Sequence, residues 1–315
     1  MMLYIPFIFI ALGCVINWNG LPEKALSAFN MIMNAALMLL MTVVGINVGT
    51  SREVMDNIGT IGINCAIMCL GSVVLSVAMV VLLEKTILPL EEIRQKLHRE
   101  KGFELKEPSE NKGIDPLLIA MPCAIVLGLV LGLFVFPDVK ESTLDKLLDL
   151  SLILLYTGAG VSLASNKIAF LYIKKLGLRI LYIPIAMILG GILSGFIMSY
   201  LLGVDLCWSV TSSSTLGYYS LPGAYMTEAY GVEAGIYGFL VNIFRDIVTV
   251  STMPLLKKIS KGSPIASGGA GCMDSMFIPV ARAVGPELGI VGLLSGTIIT
   301  IFVPFWLPLS QMIFG

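Results

Sequence analysis

The chain has 315 residues, of which 57% are hydrophobic and only 13% are charged, and its mean hydropathy is +0.91. A soluble domain of this length needs more charge to keep its surface in water, and one core does not absorb so much apolar surface. The composition therefore excludes a soluble globular protein, and the net charge of −1 gives no sign of a nucleic-acid partner. We expect an all-α polytopic membrane protein in contact with membrane lipid.

The residues that bind metals and haem are scarce. None of the six cysteines belongs to a C-x-x-C pair, and the single histidine, His98, lies in a charged segment. This pattern argues against a zinc or haem site and against a histidine proton relay. We therefore expect no cofactor.

Apolar runs predict eight transmembrane helices, because a helix needs about 20 apolar residues to cross a bilayer. The runs are 2–17, 25–48, 57–83, 115–136, 145–164, 178–202, 235–256 and 287–312. The first run lacks a basic segment before it, so we interpret it as a retained helix and not a cleaved signal. Segment 84–114 is the only long polar stretch, and we interpret it as a solvated loop with room for one amphipathic helix.

Lysine and arginine predict the orientation, because these residues collect in short cytoplasmic loops. Most of them occur in the segments 84–114, 165–179 and 257–261. Placing these segments inside leaves Arg52, Lys140 and Lys146 outside and puts both chain ends outside. We expect the protein to be located in the cytoplasmic membrane of a bacterium or an archaeon.

Two further apolar stretches, 207–231 and 264–285, are rich in serine, glycine and proline, which do not hold a continuous helix. In this orientation neither stretch can cross, so the first is predicted to enter and return from outside and the second from inside. The alternative is ten crossings, with both stretches as broken full spans and the 257–261 segment outside. Irregular backbone at membrane depth is typical of a transporter's binding site.

The sequence contains a weak internal repeat. LMTVVGINVG (40–49) resembles LYTGAGVSLA (155–164), pairing Gly45 with Gly160, and LGSVVLS (70–76) resembles LGGILS (189–194). An odd number of spans separates the copies, so a true repeat would be inverted, as in many secondary transporters; shared helix composition is the alternative. We divide the chain into a three-helix unit (1–83), a cytoplasmic loop (84–114), an inverted three-helix unit (115–202), a first hairpin with its helix (203–262) and a second hairpin with its helix (263–315).

Four ionisable residues interrupt the apolar segments. Glu228 lies near the end of the first broken stretch, Arg245 and Asp246 lie within a predicted helix after Asn242, and Asp274 follows a glycine cluster. Three acids against one base leave surplus negative charge, which suits a cationic solute, a coupling cation or protons. The alternative for Arg245 is a structural bridge to Glu228 or Asp274.

Small and polar residues of the broken stretches complete the candidate binding site. Hydroxyls and unwound carbonyls coordinate sodium or an ammonium group, helix N-termini hold a carboxylate, and glycines allow the close approach of a hairpin tip. The set comprises Ser212, Ser213, Ser214, Tyr219, Ser220, Gly269, Gly271 and Ser275. The candidate coupling ions are Na+ and H+, and sodium would lie near Ser213, Ser214 and Asp274.

Three motifs resemble the bacterial lysine exporter family LysO. They are LGYYSLPGAYMTEAYG (216–231), the pattern of Asn242, Arg245 and Asp246, and GAGCMDSMFIPV (269–280). The resemblance covers nearly the whole chain. It implies export of L-lysine, eight spans with both ends outside, and functional acids in the membrane at Asp274 and Glu228. The family has glutamate at the position of Asp246, and the side chain of Asp246 is one methylene shorter than that glutamate.

The first hypothesis is therefore a secondary exporter of L-lysine, and of analogues such as thialysine, coupled to proton or sodium flow. Lysine has two ammonium groups for the surplus acids and one carboxylate for Arg245 or a helix end. We expect the hairpins to move against a fixed unit of the first six helices and, by analogy with such carriers, a homodimer. The sequence contains no Walker A motif, so we do not expect direct ATP hydrolysis.

Three alternatives stay open. A cation/proton antiporter of related fold would move only ions through the same acids. A passive channel would need no gating from two sides. An intramembrane enzyme would have to use Ser212–Ser214 near Asp246 without a histidine, so we do not expect an enzyme.

Overall fold

The computed structural model describes residues 5–18, 20–99, 116–136, 141–165 and 177–315. This part of the chain folds into helices and turns and contains no strand. The helices are α1 (Ile5–Ile16), α2 (Glu23–Thr50), α3 (Arg52–Thr86), α4 (Leu90–Arg99), α5 (Pro116–Phe134), α6 (Glu141–Ser165), α7 (Tyr182–Leu202, after a 3-10 turn at Leu178–Leu181), α8 (Leu206–Ser214), α9 (Ser220–Tyr230), α10 (Val232–Ile259), α11 (Ser263–Gly268), α12 (Phe277–Val284) and α13 (Pro286–Phe314).

Each predicted apolar run forms a helix, with shifted ends. Helix α3 begins at Arg52 and ends at Thr86, so it takes in residues that we assigned to loops on both sides. The polar segment 84–114 contains the amphipathic helix α4. Residues 100–115 and most of the basic segment 165–179 lie outside the described residues.

Five helices of the described chain are long and apolar enough to cross a membrane, namely Lys24–Thr50, Met55–Thr86, Leu178–Leu202, Val232–Ile259 and Pro286–Phe314. Helix α7 shows how they meet lipid. It exposes large side chains such as Leu189 (50%) and Phe196 (42%) and buries Gly190, Gly191 and Ser194. In a bilayer, helices typically pack with small residues facing the neighbouring helices and large apolar residues facing the lipid. The protein is a multi-pass membrane protein.

Helices α1, α2, α5 and α6 form one unit, here called the four-helix bundle. Its helices cross at paired glycines: Gly13 of α1 lies against Gly160 of α6, and Gly45 of α2 lies against Gly128 of α5. A Cβ added at any of these glycines would lie 2.0–2.3 Å from a backbone oxygen of the other helix. Close backbone contact therefore holds this bundle together.

Helices α3 and α7–α13 form a second unit, here called the core bundle. We expected the first six transmembrane helices to form one unit, but α3 and α7 pack against each other and against the broken segments. The hydroxyl of Ser76 on α3 donates to the carbonyl of Met187 on α7 at 3.2 Å. The α3 hydroxyl of Ser72 donates to the carbonyl of Ser213 on α8 at 2.7 Å.

Residues 206–230 turn back on themselves and are called hairpin 1. Their two ends meet, because Cys207 Sγ lies 3.0 Å from the Tyr230 hydroxyl. Helix α9 runs antiparallel to α10, with Gly223 against Phe239 and Gly235 against Thr227. Hairpin 1 therefore starts and ends at one end of the core bundle.

Residues 263–284 are called hairpin 2 and start at the opposite end. The N–H of Gly262 donates to Glu84 near the end of α3, whereas the start of α3 lies beside the start of hairpin 1. The chain then returns along α13, which passes the turn of hairpin 2 at Gly296 and reaches hairpin 1 at Ser310. The two hairpins thus approach each other from opposite ends.

Candidate functional site

The breaks of the two hairpins meet in the middle of the core bundle, in a region here called the crossing. The N–H of Ala270 donates to the Leu216 carbonyl at 2.8 Å. Gly269 lies against the same carbonyl with φ +58°, and an added Cβ would be 2.0 Å from that oxygen. Helices α8 and α11 end beside this contact, and α9 and α12 begin beside it. Four helix ends and their unpaired backbone groups therefore converge here.

Asn242 of α10 forms hydrogen bonds with polar groups at the end of α8. Its Nδ2 donates to the Ser212 carbonyl at 3.1 Å and to the Thr215 hydroxyl at 2.8 Å, and its Oδ1 accepts from the N–H of Gly217 at 2.7 Å. The carbonyls in the last turn of a helix lack partners within that helix. Asn242, which is only 1% exposed, replaces those partners and fixes the first break to α10.

Arg245, one turn further along α10, forms hydrogen bonds with carbonyls at the end of α11. Its Nε and Nη2 donate to the carbonyls of Ser267 and Ala266 at 2.9 and 2.8 Å, and its Nη1 donates to the Ser72 hydroxyl at 2.7 Å. A cation at a helix C-terminus also offsets the partial negative charge there. Arg245 thus ties α10 to hairpin 2, as the structural alternative proposed, but its partners there are backbone carbonyls and not the carboxylates of Glu228 or Asp274.

Asp246 lies between the tips of the two hairpins and is 3% exposed. Its Oδ2 accepts from the Ser275 hydroxyl at 3.1 Å. Its Oδ1 is buried and has no hydrogen-bond partner in the described structure. A Cβ added to Gly217 of the first break or to Gly271 of the second would lie 3.5 or 3.2 Å from this oxygen. The glycines therefore leave room beside an unsatisfied carboxylate oxygen.

Asp274 lies at the exposed edge of the same site. It follows the 3-10 turn of hairpin 2, and its Oδ1 accepts from the N–H of Ser275. The carboxylates of Asp246 and Asp274 are near enough to repel each other electrostatically. Ser275 contacts both acids, so the structure brings together three of the residues that we predicted for the site.

Glu228 lies elsewhere. It is eight residues beyond Ser220, the start of α9, and a helix rises about 1.5 Å per residue, so it lies about 12 Å from the break along the helix. Its electrostatic neighbours are Tyr225 of the same helix and Tyr156 of α6. The structure places this acid at the contact between hairpin 1 and the four-helix bundle, apart from Asp246.

The serine run of hairpin 1 is buried, and its hydroxyls are bonded inside the protein except that of Ser213, which has no hydrogen-bond partner in the described structure. The Ser214 hydroxyl donates to the Val210 carbonyl at 2.6 Å and accepts from Trp306 Nε1 at 2.7 Å. The Thr215 hydroxyl donates to the Ser212 carbonyl at 3.1 Å. These bonds hold the end of α8 in place, and a sodium ion near this run stays a prediction.

Tyr219 and Ser220 form the start of α9. The ring of Tyr219 packs edge-on against Phe239 with centroids 6.1 Å apart, and Ser220 is buried. Ser72 is a residue of the site that the sequence analysis did not single out, although it contacts both Arg245 and hairpin 1. The available signal was its position in LGSVVLS, the segment that resembles LGGILS.

The sequence profile of a protein family described as lysine exporter LysO matches residues 122–310. The chain belongs to the LysO family. The match includes both hairpins and α10, and it confirms the resemblance that the motifs indicated. It therefore covers every residue of the crossing except Ser72.

Two lysine exporters are similar to this chain. The lysine exporter LysO of Escherichia coli K12 is 24% identical over 180 residues, which are 57% of this chain and 59% of that protein. The putative lysine exporter of Haemophilus influenzae is 24% identical over 192 residues, 58% of this chain and 93% of that protein. The match to the Escherichia coli protein thus spans about 59% of its length. No solved structure matches the chain.

Proposed function

We propose that this LysO-family protein is a secondary active exporter of L-lysine and of analogues such as thialysine. Asp246 and Asp274 hold a cationic group of the substrate or the coupling ion. The observation that carries the proposal is the buried Asp246 carboxylate between the two hairpin tips, with one oxygen that lacks a partner among the described residues.

The charge balance of the crossing supports a cationic ligand. Arg245 donates to two carbonyls and one hydroxyl, and it forms no salt bridge with Asp246 among the described contacts. An aspartate at the middle of a membrane-spanning helix costs about 2.5–3.5 kcal/mol. A bound ammonium group, Na+ or H+ would offset this cost at Asp246, and Asp274 lies at the exposed edge where such a cation arrives.

The starts of α9 and α12 suit the carboxylate of the substrate better than Arg245 does. Both helices begin beside the breaks, and neither has a side-chain cap on its first turn. Helix N-termini carry a partial positive charge and unpaired N–H groups that favour anions. Lysine would then lie with an ammonium group toward Asp246 or Asp274 and its carboxylate toward a helix start.

The proposed architecture has eight spans and two opposed re-entrant hairpins, in inverted repeats, with the basic segments in the cytoplasm and both ends outside. The glycine crossings support the repeat. The sequence pairs Gly45 with Gly160, and the contacts of these residues are equivalent: Gly45 meets Gly128, and Gly160 meets Gly13. We propose that the core bundle carries lysine past the four-helix bundle, in a homodimer within the cytoplasmic membrane.

Efflux of lysine and thialysine from cells without other exporters tests the proposal. Asp246→Asn and Asp274→Asn keep side-chain size and remove the charge, so each should reduce efflux to the level of cells without the protein. Asp149→Asn is the matched control, because Asp149 is an exposed acid on α6, and it should leave efflux unchanged. Unchanged efflux in both site variants at equal protein level would contradict the proposed roles.

A cation/proton antiporter is the second candidate, since a pair of neighbouring acids is sufficient to move an ion alone. Proteoliposomes containing the purified protein distinguish the two functions. A sodium-dependent pH change without lysine, and no lysine counterflow, would favour the antiporter. Lysine counterflow that disappears in Asp246→Asn favours the exporter, and its dependence on a pH or sodium gradient identifies the coupling ion.

A further inference from the structure

A cavity of about 220 Å³ lies where hairpin 1 and α10 begin, at the opposite end of the core bundle from the start of hairpin 2. The first turns of α3, the end of α7 and the starts of α8 and α10 surround it. Tyr237 of its wall is nine residues before Asp246 on α10, about 13 Å along the helix at a rise of about 1.5 Å per residue. The cavity is therefore separate from the crossing of the hairpins.

Two carboxylates line this cavity. Asp205 is fixed as the N-cap of α8, where one carboxylate oxygen, Oδ1, accepts from the N–H groups of Cys207 and Trp208 at 2.9 and 3.2 Å. Glu233 is half-buried in the first turn of α10. Neither acid has a lysine or arginine partner among the side chains that the structure describes. The wall therefore carries negative charge that no described cation balances.

Two aromatic rings stand beside these acids. The rings of Trp208 and Tyr237 have centroids 6.2 Å apart, and the amide of Asn64 on α3 donates to the Tyr237 hydroxyl at 3.2 Å. Tyr237 is 3% exposed, so its ring is held rigidly in the wall. Tryptophan and tyrosine faces attract ammonium groups.

We propose that this cavity binds an aliphatic primary ammonium group, with Glu233 and Asp205 as its counter-charges and Trp208 and Tyr237 as its apolar walls. It is a second cation site, distinct from Asp246. The choice of lysine as the natural ligand rests on the proposed function: in an exporter with this end outside, the cavity holds the ammonium group of the substrate as it leaves. The binding chemistry itself does not depend on transport.

Fluorine NMR of the full chain in detergent, labelled with fluorotryptophan, tests the site directly. The chain has three tryptophans, and Trp208→Phe identifies the Trp208 resonance by its loss. Lysine and cadaverine, which both have an ammonium group at the end of an aliphatic chain, should shift this resonance. Norleucine, an uncharged-side-chain analogue of lysine, should not. Equal shifts with norleucine would overturn the proposal, and a response to cadaverine without lysine would assign the site to external amines rather than to the exported substrate.

Glu233→Gln tests the role of the carboxylate, and it should weaken lysine binding at Trp208 about tenfold or more. Its ligand-free spectrum should match that of the unchanged protein, which shows that the fold is intact. Glu91→Gln is the matched control, since Glu91 is an exposed acid at the other end of the core bundle, paired with Lys261. Equal affinity in Glu233→Gln and Glu91→Gln would overturn the proposal.

Asp246→Asn separates this site from the transport site. The variant should lose lysine counterflow and keep the Trp208 shift with unchanged affinity. Loss of the shift would mean that Trp208 reports on the central site, and the cavity proposal would fail. If the unchanged protein shows the Trp208 shift but no lysine counterflow, the cavity site stands and the proposed function fails.

Discussion

Arg245 and Asp246 are neighbours in the chain, yet their surroundings give them different roles. Arg245 points its donors at the end of α11, so its charge serves the fold. Asp246 points between the hairpin tips, where one of its oxygens stays unsatisfied within the described protein. The residue that stabilises the crossing and the residue that we propose to bind the cation are thus separate.

Arg245→Lys should destabilise the protein while Asp246 stays in place. A lysine ammonium does not reproduce the planar fork of donors, so the Ala266 carbonyl loses its donor, whereas the Ser267 carbonyl still accepts from the Thr249 hydroxyl at 3.0 Å. Each buried group left unsatisfied costs about 1–3 kcal/mol. The midpoint of thermal unfolding in detergent should fall, and it should fall further in Arg245→Met. An exposed control, Lys257→Met, should melt like the unchanged protein.

Sequence reasoning located Asp246 and Asp274 because a charge within an apolar run has few structural explanations. Glu228 was placed in the same group only because few residues separate it from the break in the sequence. In the structure, helix α9 carries this acid away from the break. The partners of Arg245 were not predictable, because they are backbone carbonyls that exist only once α11 has ended.

At the scale of elements, the crossing depends on a contact between two stretches of irregular backbone. The Ala270 N–H reaches the Leu216 carbonyl only because Gly269 has no side chain and adopts φ +58°. Density of serine, glycine and proline predicted where the helices break. The pairing of the breaks was not predictable, because it joins residues more than fifty positions apart through backbone atoms, which carry no signature in the sequence.

Gly269→Ala should disrupt the crossing, since its Cβ would overlap the Leu216 carbonyl oxygen. Gly203→Ala is a matched control, because Gly203 also has a positive φ (+68°) and no atom lies within 4 Å of an added Cβ. The control should show only the backbone strain of about 1–2 kcal/mol. Thermal unfolding and lysine efflux should both be impaired far more in Gly269→Ala. Equal effects would mean that the crossing tolerates a side chain.

Helix α4 is linked to the start of hairpin 2 by the ion pair between Glu91 and Lys261. The hydrogen bond from Lys261 lowers the pKa of Glu91 below its ordinary value of 4.5. The pair is therefore complete at neutral pH and is lost only as the pH falls through that lowered value. Glu91→Gln should speed hydrogen exchange at Gly262 at neutral pH. Arg94→Gln, which removes a longer contact of 3.8 Å with Glu91, should change the exchange less.

In the whole molecule, the proposed export of lysine requires the core bundle to move against the four-helix bundle. Aromatic pairs provide a test of this motion. Phe7 of α1 and Phe305 of α13 join the two units with ring centroids 5.7 Å apart. Phe196 of α7 and Phe314 of α13 lie 5.5 Å apart within the core bundle. Composition and periodicity predicted the helices of both units but not this division, which depends on which helices share glycine contacts.

Cysteine pairs at these two positions, in a chain without its own cysteines, should respond differently to a short bifunctional thiol reagent. Linking positions 7 and 305 should stop lysine transport, because it joins the moving units. Linking positions 196 and 314 should leave transport largely intact. Transport that survives complete linkage of the first pair would show that the two units do not move apart.

The most direct test of the central claim is lysine counterflow in proteoliposomes containing either the unchanged protein or Asp246→Asn. We expect labelled lysine to accumulate in exchange for unlabelled lysine with the unchanged protein. Norleucine should not replace the unlabelled lysine, and Asp246→Asn should show no accumulation. Counterflow of equal rate in Asp246→Asn, in protein that unfolds at the same temperature as the unchanged chain, would contradict the assignment of the substrate pathway to the crossing of the hairpins.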